Sequence, residues 1–463
     1  MLFLHLIPIN EDSEPLALEY VLTPDAAPRG AAPSSPAPEN KLPEKGLLIL
    51  PPRAGIFPAP EYSLGMPRDP VAMIAEARPL PELRDKVQAL FASPEANVIA
   101  LTSFRFLTAL KKLFLRLLLP DLTCGKKIVS VKSLVRLAAL YKGIFREDMA
   151  RNLKKSYEGI TGRPETQLSG SLGFFGILKN REERLINYFL TGSPFSGDFA
   201  PFSSEKILAA LGENSFMLFT PLMPAGDGGI LVWDLRVNPG AAAPEESSGD
   251  NQGKDGSKEA GNPSASLEAD SAAAPEVPEK SGFVIIYDRG DLLFSPAGTV
   301  SQSTLNLYGI SSAAVKANHS NLIKLLSNRK FREEACFRAL PDTDAAETRK
   351  AGAAPGLNQV SALLEHPGYR GISENDPEPS RLISLLPELS GDLLHLALDY
   401  LYTVSPELLD QQYAMVYGEM VRDRVAAKRD DFIMRVNDLG EKYRNSPEAL
   451  NRLKRLCDYL SRN

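Results

Sequence analysis

Two groups of side chains in this sequence have the type and spacing to do chemistry, and the larger group is cationic. Between Arg105 and Lys155 the chain carries thirteen Lys or Arg residues against three Asp or Glu residues, while the whole chain has a formal net charge of −6. Cations clustered on neighbouring helices neutralise phosphates and release counterions, which makes this stretch a candidate nucleic-acid-binding region. The candidate residues are Lys111, Lys112, Arg116, Lys126, Lys127, Lys132, Arg136, Arg146, Arg151, Lys154 and Lys155.

The cationic region has some features of a helix-turn-helix motif. Helices are predicted over residues 129–141 and 145–157, with Gly143 between them, and the second helix would expose Arg151, Lys154 and Lys155. The match is partial, because Asn152 stands where an apolar residue is usual. Two alternatives remain: solvated cations that pair with acidic helices, and contact with anionic lipid through a helix predicted over residues 106–119.

The second group consists of carboxylates at the ends of predicted strands. Asp234 and Asp288 become neighbours if strands within residues 229–237 and 282–294 pair, and paired carboxylates bind Mg²⁺ or act as acid and base. Aspartates at strand ends more often only form turns. The resulting hypothesis, a metal-dependent enzyme using these carboxylates, ranks below nucleic-acid binding.

Other residues that often hold a metal or a phosphate lack the necessary spacing. The four histidines and three cysteines are scattered, so the sequence predicts neither a metal site nor a cofactor. Gly170, Gly173 and Gly176 recur every three residues, but no strand is predicted before them and no Lys-Ser or Lys-Thr pair follows. We therefore predict a flexible loop over residues 161–176.

The elements that position these residues form a mixed pattern of strands and helices. Strands are predicted over residues 3–9, 16–22, 47–50 and 216–220, and the run 282–294 is predicted to form a hairpin around a polar turn at residues 288–291. The segment from Asn238 to Ser281 has nine acidic residues against three lysines. Its net charge of −6 equals the formal net charge of the whole chain. It is predicted to be disordered, and the remainder of the chain is close to neutral.

These patterns predict an α+β fold with a small, mostly antiparallel sheet, followed by an all-helical C-terminal region. We expect a mixed domain over residues 1–340, with a basic helical region at 104–157 and disordered loops at 25–46 and 238–281. A linker at 341–356 would lead to a helical domain over 357–463. No apolar run approaches the length that spans a bilayer, and the widely spaced cysteines favour a reducing cytoplasm.

The leading functional interpretation is a non-enzymatic cytoplasmic protein that acts through helical protein–protein contacts or self-association. It depends on the amphipathic C-terminal helices, in which Tyr413, Val416 and Met420 form an apolar stripe and a candidate partner interface. Nucleic-acid binding by the basic helices of residues 105–155 is the first alternative. A metal-dependent enzyme with strand-end carboxylates is the second.

Overall fold

The chain forms two compact units in a computed structural model. The model describes residues 1–10, 14–23, 43–191, 200–203, 206–225, 229–239, 282–287, 292–340, 360, 363–364 and 378–462. Unit 1 comprises Met1–Arg136, Phe145–Thr191 and Thr343–Asn463, and unit 2 comprises Leu137–Ile144 and Gly192–Asp342. Each unit contains a five-stranded sheet, and the C-terminal part of the chain is helical, so the predicted α+β fold is confirmed.

Sheet A of unit 1 has the strand order β3-β2-β1-β4-β5. Its strands are β1 Leu2–Pro8, β2 Pro15–Leu22, β3 Glu44–Ile49, β4 Val98–Leu101 and β5 Lys127–Ser130. The hairpin β1–β2 and the pair β2–β3 are antiparallel, whereas β4 and β5 run parallel to β1. The strands predicted over residues 3–9 and 16–22 are therefore present as β1 and β2, while β3 begins three residues earlier than the strand predicted at Leu47.

Helices surround sheet A and close its core. In chain order the helices of the molecule are α1 Pro60–Gly65, α2 Pro70–Ala75, α3 Leu80–Ala92, α4 Phe106–Arg116, α5 Val131–Lys142, α6 Leu153–Thr161, α7 Gln167–Arg181, α8 Glu183–Thr191, α9 Gln302–Leu307, α10 Ser312–Leu325, α11 Arg329–Ala339, α12 Glu378–Leu385, α13 Gly391–Val404, α14 Gln411–Lys442 and α15 Pro447–Arg462. Proline begins α1, α2 and α15, because the first turn of a helix does not need its missing N–H.

The main core of unit 1 joins residues from both ends of the chain. Alternate residues of a strand face one side of the sheet, and Leu2, Leu4 and Leu6 of β1 all point into this core. It also contains Leu398 of α13 and Tyr417 of α14. The C-terminal helices thus share a core with sheet A, whereas the sequence suggested a separate helical domain after residue 356.

Sheet B of unit 2 is entirely antiparallel, with the strand order β10-β6-β7-β8-β9. Its strands are β6 Leu208–Leu211, β7 Phe216–Pro224, β8 Ile230–Asp234, β9 Phe283–Ile286 and β10 Leu293–Pro296. The fully buried Trp233 packs edge-on against Phe283 and also contacts Phe331 of α11. This aromatic cluster holds α11 against the sheet.

The structure settles how the strands of this region pair. The strands within 229–237 and 282–294, whose pairing the sequence left open, are antiparallel neighbours, with Trp233 of β8 opposite Phe283 of β9. The predicted hairpin within 282–294 is wrong, because β9 and β10 form the two opposite edges of sheet B. The insert predicted to be disordered lies outside the described residues from residue 240 onward, as do the loop 25–42 and the linker 341–356. Among the helices described, none is both long and apolar enough to cross a bilayer.

Candidate nucleic-acid interface

The candidate site lies where the parallel pairing of β1 with β4 ends, beside the middle of β1 and at the carboxyl end of β4. Leu4 is paired with Leu101, so the next residues, His5 and Thr102, continue side by side. His5 Nδ1 and Thr102 Oγ1 are 2.9 Å apart and share a hydrogen bond. Ligands of sheets with parallel strands bind beyond the carboxyl ends of those strands. This pair therefore marks the edge of sheet A where a ligand site is expected.

Two residues at the start of α4 cover His5. The Phe106 ring meets the His5 ring edge-on with 5.0 Å between centroids, and the Arg105 guanidinium lies 4.8 Å from the centroid of the Phe106 ring. Burial, with a smaller contribution from the charge of Arg105, lowers the pKa of His5 to about 4. His5 is therefore neutral near pH 7, and the exposed Arg105 supplies the positive charge at this edge.

Several of the predicted cationic residues are used inside unit 1. Arg116 is buried and donates from Nη2 to the carbonyl of Pro51. Lys126 donates to the carbonyl of Phe91 at 2.9 Å, and Arg136 is also buried. Lys111, Lys112, Lys127 and Lys132 are half-buried, and Lys111 lies 3.7 Å from a carboxylate oxygen of Asp121. These residues stabilise the fold, so the positive charge available to a ligand is smaller than the sequence suggests.

The remaining predicted cations lie at the surface around the start of α6. Arg146 is exposed and paired with Asp148 at 2.8 Å, and Lys154 lies 3.9 Å from Glu158 on the next turn of α6. Arg151 and Lys155 are exposed, and neither forms an ion pair with a carboxylate of the described residues. Arg151 and Lys155, together with Arg105, are therefore exposed cations of unit 1 that are open to a phosphate backbone.

The predicted helix-turn-helix is not formed. A 3₁₀ turn covers Glu147–Arg151, and α6 begins only at Leu153, because Asn152 caps it by accepting a hydrogen bond from Lys155 N at 3.1 Å. Asn152, the residue that broke the sequence pattern, is thus a helix start signal. Helix α6 packs against α7, which follows it in the chain.

The predicted flexible loop over 161–176 is wrong, because Gln167–Arg181 forms helix α7. A Cβ added to Gly170 would lie 3.1 Å from the carbonyl oxygen of Leu153, and a Cβ added to Gly173 would overlap the Tyr157 ring. The three-residue glycine spacing places these two glycines on the face of α7 that packs against α6. The other side of α7 packs on β1, where Phe175 meets Phe3 edge-on at 5.1 Å. Helix α7 therefore packs on one side against α6, which carries the exposed cations, and on the other side against β1, which carries His5.

Of the two candidate carboxylates, Asp234 is the one that lies within the described residues. Asp234 is fully buried, and its carboxylate accepts hydrogen bonds from the backbone N–H and the guanidinium of Arg236. Asp288 lies outside the described residues. Asp234 thus stabilises the turn that follows β8, where it pairs with the guanidinium of Arg236.

The apolar stripe predicted as a partner interface packs within unit 1. Tyr413, Val416 and Met420 of α14 are half-buried against the main core. One helical turn from Tyr413, Tyr417 stacks on Tyr402 of α13 with 4.2 Å between ring centroids. This stripe therefore belongs to the contact between α14 and the rest of the unit.

A buried charge cluster in unit 1 was not predicted from the sequence. Arg424 of α14 donates two hydrogen bonds to Asp399 of α13, at 2.7 and 2.8 Å. Glu14 lies 3.0 Å from Arg53 and 3.8 Å from Arg116. One local signal existed, because Arg116 is a lone cation in the otherwise apolar run 113–119, and a charge in such a run is buried and needs partners.

Comparison with known proteins finds similarity in structure but not in sequence. No family model and no curated protein sequence matches the chain. The fold is similar to that of E. coli exonuclease I in complex with a 5cy-dT13 oligonucleotide, with a TM-score of 0.67, 14% identity, and coverage of 100% of this chain and 98% of that chain. It is also similar to the same enzyme bound to a dA16 oligonucleotide, with a TM-score of 0.63, 14% identity, and coverage of 100% and 99%.

This similarity corrects the leading interpretation from the sequence. The hypothesis of a non-enzymatic protein that acts through helical protein–protein contacts is contradicted, because the solved structures that this chain resembles along its whole length are those of exonuclease I with bound oligonucleotides. The first alternative, nucleic-acid binding, agrees better with these neighbours. The packing of Tyr413, Val416 and Met420 inside unit 1 points the same way, since it removes the predicted protein interface.

The described residues do not fit a catalytic metal at this edge of sheet A. A third similar structure is a zinc-bound complex of E. coli exonuclease I with single-stranded DNA, with a TM-score of 0.66, 14% identity, and coverage of 100% of this chain and 98% of that chain. Metal-dependent cleavage of phosphodiesters uses ions held by clustered carboxylates. Among the residues that the structure describes, no three His, Cys, Asp or Glu side chains are grouped to hold a metal. The polar side chains beside the end of the β1–β4 pairing include the His5 imidazole, the Thr102 hydroxyl and the Glu19 carboxyl, which is a single carboxylate and not a cluster.

Proposed function

We propose that this protein binds single-stranded DNA on unit 1. The observation that carries the proposal is the similarity of fold along the entire chain to exonuclease I in structures that contain a bound oligonucleotide. In this protein the interface would extend from the end of the β1–β4 pairing, beside His5 and Thr102, to the start of α6. It would use Arg105, Arg151 and Lys155 as the phosphate-binding cations.

The electrostatics of the site support this assignment. Proteins that bind single strands without sequence preference combine a cationic groove for the backbone with aromatic rings for the bases. Arg105 is exposed and held against the Phe106 ring, so its position is fixed before a ligand arrives. Tyr188 of α8 is 38% exposed and rests edge-on against Phe189, with 5.1 Å between centroids. It is a candidate stacking residue on the helix that follows α7.

The test is direct binding of a fluorescently labelled dT13 oligonucleotide to the full chain, followed by fluorescence anisotropy in potassium glutamate. Affinity should fall as salt rises, with a slope of log K against log salt of about −0.7 for each phosphate contact on a single strand. Three contacts predict a slope of about −2. Absence of binding at the lowest salt, or binding that salt does not weaken, would overturn the proposal.

Processing of the bound strand is the second candidate function. The whole-chain similarity to an exonuclease favours it, whereas the described donor set at the site does not supply a metal-dependent route. To test this, the same labelled oligonucleotide is incubated with the protein and Mg²⁺ and then run on a denaturing gel. The gel shows whether the strand keeps its length or is shortened. A cytoplasmic location, and a protein partner in addition to DNA, remain proposals based on the sequence.

A further inference from the structure

The buried charge cluster of unit 1 carries more positive than negative charge. Among the residues that the structure describes, it contains the guanidinium groups of Arg53, Arg116 and Arg424 and the two carboxylates of Glu14 and Asp399. The side chains of Arg53 and Arg424 are 19% and 22% exposed, whereas that of Arg116 is 3% exposed, so water screens the charge poorly at Arg116. An uncompensated buried charge is costly, and a counter-ion is one way to remove the cost.

The unbalanced charge coincides with unsatisfied donors. Arg116 Nη1 and Arg53 Nε are buried, and neither has a hydrogen-bond acceptor among the described residues. The 3.0 Å separation between Arg53 Nε and Glu14 Oε1 is short enough for an ion pair, but its angles do not allow a hydrogen bond. Glu14 Oε1 likewise has no hydrogen-bond donor among the described residues, so the cluster contains two buried N–H groups and one carboxylate oxygen that are unsatisfied, and Arg116 Nη1 is the donor without a nearby carboxylate oxygen. Buried N–H groups of this kind are rare unless water or an ion satisfies them.

A small cavity lies next to these donors. Its volume is about 10 Å³, and its lining includes both Arg53 and Arg116 together with Leu80, Leu115 and Leu396. This space is of the order that holds one water molecule or one monatomic ion, and it is too small for phosphate or sulfate. Asp399 also borders the cavity, but both of its oxygens already accept hydrogen bonds from Arg424.

We propose that this cavity is a binding site for a single halide ion, with chloride as the physiological ligand. The ion would accept hydrogen bonds from Arg116 Nη1 and Arg53 Nε, and it would bring the three guanidinium groups and two carboxylates to charge balance. A water molecule would satisfy the same donors but would leave the excess charge in place. Burial lowers the pKa of Arg116 to about 10, in agreement with a cation whose compensation by neighbouring protein groups is incomplete.

The site predicts a specific response of the full chain to chloride. At constant ionic strength, replacing potassium gluconate by potassium chloride should raise the thermal unfolding midpoint by about 3 °C, because the ion binds only the folded state. The ³⁵Cl NMR line should show a saturable excess width that bromide removes by competition. Arg116→Met should abolish both effects. Arg68→Met, which removes an exposed arginine paired with Glu76, should leave both unchanged.

Two results would overturn the proposal. Equal unfolding midpoints in the two salts, with no excess line width, would show that the cavity holds only water. A chloride response that persists in Arg116→Met would place the ion elsewhere. If Arg116→Met does not fold, anomalous diffraction from crystals of the wild-type protein soaked in bromide decides the matter: a peak beside Arg116 Nη1 supports the site, and its absence rejects it.

Discussion

His5 of β1 and Glu19 of β2 are cross-strand partners, and burial shifts the pKa of both residues toward their uncharged forms. Burial lowers the pKa of the His5 imidazolium to about 4 and raises the pKa of the Glu19 carboxyl. The pair therefore does not behave as an ion pair, in which each charge would stabilise the other. Burial on this face of sheet A disfavours the charged forms of both side chains, and the nearby positive charge comes from Arg105.

The first prediction concerns pH. The folded chain binds a proton on His5 only near pH 4, whereas the unfolded chain does so near pH 6.5, so the unfolded state binds more protons between these values. The stability contributed by neutral His5 is present above pH 6.5 and is lost as the pH falls toward 4, by up to about 3 kcal/mol. His5→Gln keeps a group that can bond to Thr102 but does not titrate. Urea denaturation at pH 7.5 and 4.5 should show a smaller acid-induced loss in the variant, and an equal loss in both proteins would contradict this role.

The second prediction concerns the surface cations. The double variant Arg151→Gln, Lys155→Gln should weaken dT13 binding several-fold and make the salt slope shallower by about 1.4, since two phosphate contacts are removed. The matched control is Arg329→Gln, Lys330→Gln, which removes the same charge from exposed positions on α11. Anisotropy titrations at two concentrations of potassium glutamate measure both quantities. Equal weakening by the two double variants would mean that only net charge matters and that the start of α6 is not the interface.

The third prediction concerns the contact between α6 and α7. Gly170→Leu should destabilise the protein by about 1–3 kcal/mol, because the new Cβ would press on the backbone of Leu153 and Lys154. Gly176→Leu on the same helix is the matched control, since nothing lies within 4 Å of its Cβ position. It should leave stability unchanged or raise it by up to about 1 kcal/mol through helix propensity. Equal denaturation midpoints for the two variants would show that the helices do not approach as closely as described.

The fourth prediction concerns the buried charge cluster. Asp399→Ala should cost about 3–5 kcal/mol, because it leaves Arg53, Arg116 and Arg424 with one carboxylate in a poorly solvated place. Asp431→Ala removes an exposed carboxylate 3.4 Å from Arg435 in the same long helix α14 and should cost less than about 1 kcal/mol. Chemical denaturation of both variants at pH 7 measures the difference. Similar small losses would mean that water reaches Asp399 freely.

Local signals in the sequence predicted much of the framework. The apolar runs of β1 and β2 and the strands β8 and β9 each depend on residues within a few positions of one another. The predictions that failed depended on distant contacts. The spacing of Gly170 and Gly173 suggests a loop, because the sequence does not show that α6 packs closely against these two glycines. The hairpin predicted within 282–294 failed because β10 instead pairs with β6, more than eighty positions away in the sequence.

The site itself was predicted only in part. Arg151 and Lys155 were selected by charge and lie at the surface, whereas Arg116 and Arg136 were selected by the same criterion and are buried. Charge counting cannot separate these two groups, because the difference arises from burial. His5 was passed over, although a single polar residue between Leu4 and Leu6 in an apolar strand is a signal that a specific partner is needed. That partner, Thr102, is ninety-seven positions away.

The shared core of unit 1 has a consequence for synthesis of the protein on the ribosome. Leu4 and Leu6 of β1 pack in the same core as Leu398 and Tyr417, which are translated almost four hundred residues later. At about 5–20 residues per second, the nascent chain would carry this apolar face uncovered for roughly 20–80 s. Unit 1 would then complete its core only near the end of translation. Until that point the growing chain presents the kind of apolar surface that general chaperones bind.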